Sequence, residues 1–130
     1  MRKVNVAEAL DRIDAPWRPH VAAQIGDCEV KLAKLDGAFV WHHHDDADEM
    51  FLVVSGSLKM RYRQENGHGR AVSEREVELG EGEFLVVPAG TEHMPVTDAE
   101  CHVLLFEPRG TVNTGNATDS ELTVVNTLTI

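Results

Sequence analysis

Three histidines stand side by side in this chain, as His42, His43 and His44, and a further one, His93, lies in a later segment. In an extended strand successive side chains point to opposite faces, so His42 and His44 share one face while His43 points away. Two imidazoles on one face can bind a common metal ion. The spacing therefore predicts that His42 and His44 converge on a metal and that His43 does not take part.

A carboxylate follows these histidines at a position where it would be costly to bury alone. Glu49 precedes the apolar run Met50–Val54, and an unpaired buried carboxylate is destabilising unless a cation offsets its charge. With the two convergent histidines and His93 it makes a set of nitrogen and oxygen donors that suits Fe, Mn, Ni, Cu or Zn and leaves coordination positions open. The alternative is a polar loop, made of the histidines and the aspartates that follow them, that holds no ion.

Two motifs punctuated by glycine contain these residues. From Gly37 the chain reads G-x4-H-x-H-x4-E-x6-G, and from Gly82 it reads G-x5-P-x-G-x2-H. Together they resemble the paired motifs of the cupin superfamily, although the first has one residue fewer than usual between glycine and histidine. The resemblance implies that the two motifs lie on facing strands of one barrel and contribute the ligands of one divalent transition metal. These ligands are His42, His44, Glu49 and His93.

The resemblance extends beyond the motifs to nearly the whole chain. Residues 100–115 look like the end of a group of small single-domain cupins that are mostly uncharacterised and are described as mannose-6-phosphate-isomerase-like. This likeness implies one cupin domain over residues 1–130 and specifies no substrate. Within it we expect an N-terminal helix at 5–14, a motif-bearing core at 27–108 and a C-terminal extension at 109–130.

The local sequence pattern predicts an all-β protein with one short helix. Asn5 and Glu8 have capping-box spacing and apolar residues recur at helical intervals, so a helix is expected over about residues 6–13. Beyond Pro16, alternating apolar runs separated by turn residues predict a β-sandwich or a β-barrel. The resemblance to cupins implies, of these, an antiparallel jelly-roll β-barrel. The expected strands are Cys28–Leu35, Ala38–Trp41, Glu49–Val54, Leu58–Arg63, Glu76–Leu79, Phe84–Val87, Cys101–Glu107 and Leu122–Val125. The last can pair with its own chain or with a neighbour.

The composition limits the partners and the location. The chain has 130 residues, with 12 Lys+Arg against 22 Asp+Glu and a formal net charge of −10, so it lacks the positive charge that nucleic acids attract. No apolar run approaches the roughly 18 residues of a membrane helix, and the N-terminus lacks a secretory pattern, so we expect a cytoplasmic protein. Cys28 and Cys101 are expected to be free thiols. Apolar residues in both terminal segments predict a homodimer.

The predicted metal centre is compatible with three classes of function. Three neutral imidazoles and one carboxylate around a divalent cation leave a local charge of about +1, which favours a small anionic or enolisable oxygen ligand. We expect a metal-dependent enzyme, either an oxygenase or an isomerase or lyase. A non-catalytic protein that binds a small molecule and a cupin with a structural metal are the alternatives.

No residue is assigned as catalytic. Glu92 and Tyr62 are the nearby acid–base candidates, and His102 is either a pocket residue or a hydrogen-bonded core histidine.

Overall fold

The computed structural model describes residues 1–66, 71–117, 120–124 and 128–130. In this part of the chain one short helix, α1 (Val6–Leu10), precedes the strands. The strands are β1 (His20–Ile25), β2 (Cys28–Ala38), β3 (Glu49–Ser55), β4 (Leu58–Asn66), β5 (Ala71–Leu79), β6 (Phe84–Val87), β7 (His93–Pro108) and β8 (Leu128–Thr129). No helix in the described ranges is long and apolar enough to cross a membrane.

The strands form one open sheet around the long strand β7. On one side β7 pairs with β2, and on the other side its first residues pair with β4 and its last with β3. The sheet continues from β4 to β5, from β3 to β6 and from β2 to β1, with every one of these pairs antiparallel. The predicted all-β jelly-roll architecture with a short N-terminal helix is confirmed.

Side chains on the central strands alternate between the interior of the fold and its outer surface. On β7, Cys101 and Val103 are buried and lie opposite Leu35 and Ala33 of β2. The main core consists of Trp17, Ala33, Leu35, Phe51, Val53, Leu58, Met60, Leu79, Val87, Cys101, Val103 and Leu105. Because a register slip by one residue would move each strand's apolar set out of this core, the core fixes the positions of the strands that carry the predicted ligands.

Helix α1 packs on the outer surface of the sheet. The side chain of Asn5 caps it by accepting a hydrogen bond from the Glu8 backbone N–H at 3.0 Å, as the spacing predicts. Leu10 and Ile13 pack with Leu32 in a second, smaller core. The helix ends at Leu10 rather than near residue 13, because the following N–H groups bond to carbonyls three residues back in tighter turns.

The predicted strand Leu122–Val125 is wrong over its described part, and Val125 lies outside the described residues. The side chain of Asn113 takes the backbone hydrogen bonds that a neighbouring strand would have supplied. Its Nδ2 donates to the Leu122 carbonyl at 2.8 Å, and its Oδ1 accepts from the Val124 N–H at 2.9 Å. This segment is therefore held as a loop.

Two strands were not anticipated, and one expected strand is absent. β1 and β8 were not predicted, and they pair in parallel with each other, so the C-terminus joins the sheet of its own chain. The predicted strand Ala38–Trp41 is also wrong, because β2 continues to Ala38 and a loop follows it.

Candidate metal centre

The four predicted ligands come from three separate parts of the chain. His42 and His44 lie in the loop between β2 and β3, Glu49 is the first residue of β3, and His93 is the first residue of β7. Two backbone hydrogen bonds attach the loop to β7. The His42 N–H donates to the His93 carbonyl at 3.1 Å, and the His93 N–H donates to the His42 carbonyl at 2.9 Å. This bridge brings the two sequence motifs together.

The structure brings all four side chains to one buried point. One potential ligand atom from each residue lies within 4.8 Å of the others. The Glu49 carboxylate lies 3.5 Å from His44 Nε2 through one oxygen and 3.4 Å from His93 Nε2 through the other. The centroids of the His42 and His93 rings are 4.2 Å apart, and no residue of the group is more than 7% exposed. Three nitrogens and one oxygen at this spacing could hold a transition-metal ion.

Backbone carbonyls orient two of the imidazoles. The Nδ1–H of His42 donates to the Val40 carbonyl at 2.9 Å, and the Nδ1–H of His93 donates to the Thr91 carbonyl at 2.8 Å. Because a neutral imidazole carries one N–H, the Nε2 atom of each ring is left with a free lone pair. Metal-binding histidines are commonly oriented in this way.

Several polar atoms at this point are buried without a hydrogen-bond partner. They are Nε2 of His44, Nε2 of His93, Oε1 of Glu49 and Oε2 of Glu107. Leaving such an atom unsatisfied costs about 1–3 kcal/mol, and more when it is charged. A carboxylate oxygen and an imidazole lone pair are both acceptors, so they cannot satisfy each other, whereas a cation between them satisfies both. The residues therefore fit a metal ion.

The ionisation of the group also suits a cation. Burial, together with the neighbouring His93, lowers the pKa of His42 to about 4, so its ring is neutral at neutral pH. Burial by itself would raise the pKa of Glu49, but its close contacts with Glu107, His44 and His93 outweigh burial and hold that pKa well below its usual range. A neutral imidazole and an ionised carboxylate are the forms that bind metals.

His43 points away from the group, as the strand alternation predicts. Its Nε2 lies 2.9 Å from Oδ1 of Asp45, and its side chain is 31% exposed. Its neighbours His42 and His44 are buried. A solvated polar loop therefore describes His43 and Asp45 but not the two histidines beside them.

A second carboxylate, which the sequence analysis did not single out, lies beside Glu49. Glu107 on β7 is 2% exposed, and its Oε1 accepts a hydrogen bond from Nζ of Lys31 on β2 at 2.8 Å. Burial and the neighbouring Glu49 raise the pKa of Glu107 well above its usual range, against the lowering effect of Lys31. The sequence could have indicated Glu107 through its position, because it lies on the same face of β7 as the buried apolar residues that precede it at every second position.

A small cavity lies beside this centre. His42, Glu49 and Glu107 contribute to its lining, which is mostly apolar, and its volume is about 30 Å³. Trp17 stacks on Phe39 with ring centroids 4.6 Å apart, and Phe39 meets the His42 ring edge-on at 5.3 Å. Since a water molecule takes up about 30 Å³ in the liquid, the cavity admits a group of only a few atoms.

The other residues considered from the sequence lie away from this cavity. Glu92 pairs with Arg63 at 3.0 Å, and Tyr62 lines a different groove. The expectation that His102 lies in a pocket or in the core is wrong. Its Nε2 contacts Oε2 of Glu100 at 3.0 Å and its side chain is 23% exposed, because the odd-numbered residues of this part of β7 face the interior.

An all-β jelly roll with three histidines and a glutamate buried together is a cupin-like arrangement, and comparison with known families agrees. The family model described as "Cupin domain" matches residues 28–107. The chain belongs to the cupin family.

Several known proteins are similar to this chain. One is a cupin-2 domain containing protein from Shewanella frigidimarina, known from a crystal structure, which is 35% identical to this chain. The match covers 82% of this chain and 94% of that protein, with a TM-score of 0.72. A Neisseria meningitidis protein shares 25% identity over 82% of this chain and 99% of its own, with a TM-score of 0.67. The uncharacterised protein YdbB of Bacillus subtilis is 34% identical over 71 residues, and the match spans 55% of either chain, so it covers about half of that relative's length.

More distant fold relatives include hydroquinone 1,2-dioxygenases. The enzyme PnpCD, solved with Cd²⁺ and 4-hydroxybenzonitrile, is 18% identical, with a TM-score of 0.65 over 82% of this chain and 72% of its own. At this identity the likeness establishes a common fold alone.

Proposed function

We propose that the protein is a metal-dependent enzyme that acts on a small oxygen-rich molecule. In this proposal one divalent transition metal is held by His42, His44, Glu49 and His93. The observation that carries it is the set of buried ligand atoms without a hydrogen-bond partner in His44, Glu49 and His93, which would be destabilising without a cation.

The donor set narrows the metal and its chemistry. Imidazole nitrogens with one carboxylate oxygen suit Fe, Mn, Ni, Cu and Zn better than Ca or Mg. Such an ion would act as a Lewis acid on a bound oxygen or, if it is iron, would supply O₂ chemistry. A hydroquinone dioxygenase of the same fold has been solved with Fe³⁺, which makes the oxygenase the first reaction class to test here, ahead of an isomerase or lyase.

The chain's own residues would position the ligands and keep water out. The carbonyls of Val40 and Thr91 hold two imidazoles with Nε2 free. The stacked rings of Trp17 and Phe39 cover the cavity beside His42. The mostly apolar lining strengthens electrostatic interactions with a bound molecule, because the local dielectric constant beside it is low.

The metal ligands can be tested by alanine variants and elemental analysis. Replacing His42, His44, Glu49 or His93 by alanine should abolish stoichiometric metal binding and remove the stabilisation by added metal, which is about 2.7 kcal/mol at a hundredfold excess over Kd. His43→Ala is the matched control, because this histidine is adjacent in sequence and points away. Metal content that falls equally in His43→Ala would contradict the proposed ligand set.

The reaction class can be tested on protein loaded anaerobically with Fe(II). Binding of nitric oxide, a stand-in for O₂, would indicate an open coordination position. Small thiols, diketones, hydroxy acids and sugar phosphates are then supplied while oxygen uptake and products are followed. Oxygen uptake that depends on His93 supports an oxygenase, and product without oxygen uptake supports an isomerase or lyase. Tight ligand binding without turnover supports a binding protein, and failure to bind nitric oxide supports a structural metal.

We further propose that the chain forms a single domain, with a core at 27–108 and an extension at 109–130. We also propose that the protein is cytoplasmic and forms a homodimer. The exposed apolar side chains Phe84, Val86 and Leu128 support self-association, although the terminal segments pack on their own chain. The net charge of −10 argues against nucleic acid as a partner. A mass of 14.4 kDa by light scattering at micromolar concentration would contradict the dimer.

A further inference from the structure

The outer surface of one part of the sheet is apolar across four strands. In β3, Glu49, Phe51 and Val53 point into the interior, so the residues between them point outward. These outward residues lie side by side with those of β6, β7 and β2 in two rows. One row is Val86, Met50, Phe106 and Val30, and the other is Phe84, Leu52, Leu104 and Leu32. We call these residues the apolar face.

The other end of the same sheet provides an internal comparison. On the outer surface of β4, the side chains Lys59, Arg61 and Arg63 lie opposite Glu78, Glu76 and Glu74 of β5. Charged side chains are usual where one surface of an antiparallel sheet meets water. The apolar face contains no charged side chain, although it belongs to the same sheet. This contrast indicates that something other than water covers it.

The chain itself covers only one end of the apolar face. Leu10 and Ile13 pack on Leu32, so the end on β2 lies beneath the N-terminal segment. At the other end Phe84 is 61% exposed and Val86 is 52% exposed. Burying such side chains is favourable in proportion to the apolar area removed from water. The end on β6 and β3 is therefore open to a partner.

The size of the open part suits an association between proteins. Across β6, β3 and β7 it is about 14 Å wide, and along the 7 residues of β3 it is about 23 Å long. This gives a projected area of about 330 Å². Protruding side chains and the adjoining surface of α1 raise the accessible area towards the about 800 Å² that each partner of a stable dimer buries.

A second copy of the chain is the partner that this composition favours. The apolar face lacks the charged groups with which an interface selects an unlike partner. A two-fold axis would bring the face against itself, so that apolar side chains meet apolar side chains throughout. The chain carries a net charge of −10, and a contact made through an uncharged face keeps the charges of the two copies apart.

We propose that the apolar face is the interface of a homodimer, in which β6 and β3 of one protomer pack on β6 and β3 of its partner. The inference rests on the homodimer proposed above and names the surface that forms it. Leu128 has no part in this interface, because β8 pairs with β1 at the opposite end of the sheet.

A charge placed on the apolar face tests the interface. Val86→Glu should raise the dissociation constant of the dimer by about a hundredfold or more, because the new carboxylate would be buried without a partner. Val72→Glu is the matched control, since Val72 is a 60% exposed valine on β5, and it should keep the dimer. Light scattering over a range of concentrations measures both, and urea denaturation verifies that both variants fold.

A thiol on the apolar face tests whether a second copy covers it. Val86→Cys and Val72→Cys are made in a Cys28→Ser background, in which the remaining native cysteine, Cys101, is buried. As the protein concentration rises through the dissociation constant, labelling of the Val86→Cys thiol should slow by about tenfold. Labelling of the Val72→Cys thiol should keep the same rate at every concentration.

Three results would overturn the proposed interface while leaving the homodimer in place. They are a Val86→Glu protein that stays dimeric, a Val72→Glu protein that dissociates equally, and fast labelling of Val86→Cys in a protein that is dimeric by light scattering. Slow labelling of Val86→Cys at every concentration would mean that the same chain covers the face, and it too would overturn the proposal. A parent protein that is monomeric at every concentration would instead overturn the proposed homodimer, and this inference with it.

Discussion

His43 and Asn116 exchange two hydrogen bonds beside the metal centre. The His43 N–H donates to Oδ1 of Asn116 at 2.8 Å, and the Asn116 N–H donates to the His43 carbonyl at 3.1 Å. Asn116 belongs to the segment that follows β7, whereas His43 lies between the candidate ligands His42 and His44. The C-terminal segment therefore fixes the loop that presents both histidines.

A substitution at Gly115 tests whether this attachment positions the loop. It has a φ of 52°, and a Cβ atom there would overlap the His43 carbonyl and lie 3.2 Å from Cδ2 of His42. Gly115→Ala should displace the loop and weaken metal binding by about tenfold or more, measured by competition with a chelator. Gly110→Ala is the control, because Gly110 has a φ of 81° but open space around its Cβ. It should lose about 1–2 kcal/mol of stability and keep its metal affinity, and equal affinities in the two variants would contradict the prediction.

The buried pair of Lys31 and Glu107 should be strongly coupled in stability. Lys31→Met leaves the Glu107 carboxylate without its counter-charge, and we expect a loss of about 3–5 kcal/mol in the free energy of unfolding. Adding Glu107→Leu should recover most of that loss, because both partners are then apolar. Urea denaturation of the two single variants and the double variant measures the coupling. Additive losses would mean that the two side chains do not depend on each other.

The metal-free protein should lose stability as the pH falls from about 6.5 to about 4. The pKa of His42 is lowered from 6.5 to about 4 on folding, mainly by burial. The unfolded chain therefore binds more protons than the folded chain in this window, and protons favour unfolding there. The contribution of His42 amounts to about 3 kcal/mol across the window. Denaturation in the presence of a chelator at several pH values measures it. His42→Gln should show a correspondingly shallower pH dependence, and an identical one would refute the assignment.

The two cysteines should remain free and differ in reactivity. Cys28 pairs with Pro108 and Cys101 with Leu35, so the two lie about 23 Å apart along the sheet, far beyond the ~5.5 Å Cα separation of a disulfide. Burial raises the pKa of the Cys101 thiol to about 11. A thiol reagent should count two thiols in denatured protein, and at pH 8 it should label Cys28 well before Cys101. The Cys28→Ser variant should then react with the thiol reagent only after it unfolds. Rapid labelling of the folded variant would contradict the prediction.

The sequence by itself determined the class of fold and the candidate ligands, because both are recorded locally. Strand alternation separates His43 from His42 and His44, and the structure places them accordingly. The glycine and proline positions mark turns between strands. The assignment of the four residues as metal ligands stays a prediction, although the structure brings them together.

The local sequence pattern did not predict the secondary structure correctly where a side chain distant in sequence determines the backbone conformation. The segment that begins at Leu122 reads as a strand, yet Asn113 takes its hydrogen bonds and holds it as a loop. His102 reads as a residue of the pocket strand, yet it faces outward. Which set of β7 residues faces the interior depends on how the strand packs, since the alternation of apolar residues is visible on both of its faces.

Only the tertiary structure placed Glu107 beside Glu49, Lys31 against Glu107 and Trp17 over the cavity. These residues come from β7, β3, β2 and the segment before β1. Their meeting depends on strand order and register, which arise from burying the whole core at once and not from any short stretch of sequence. The histidines and glutamate of the metal centre could be named from their spacing, whereas the charged and aromatic groups around them became visible only once the sheet was assembled.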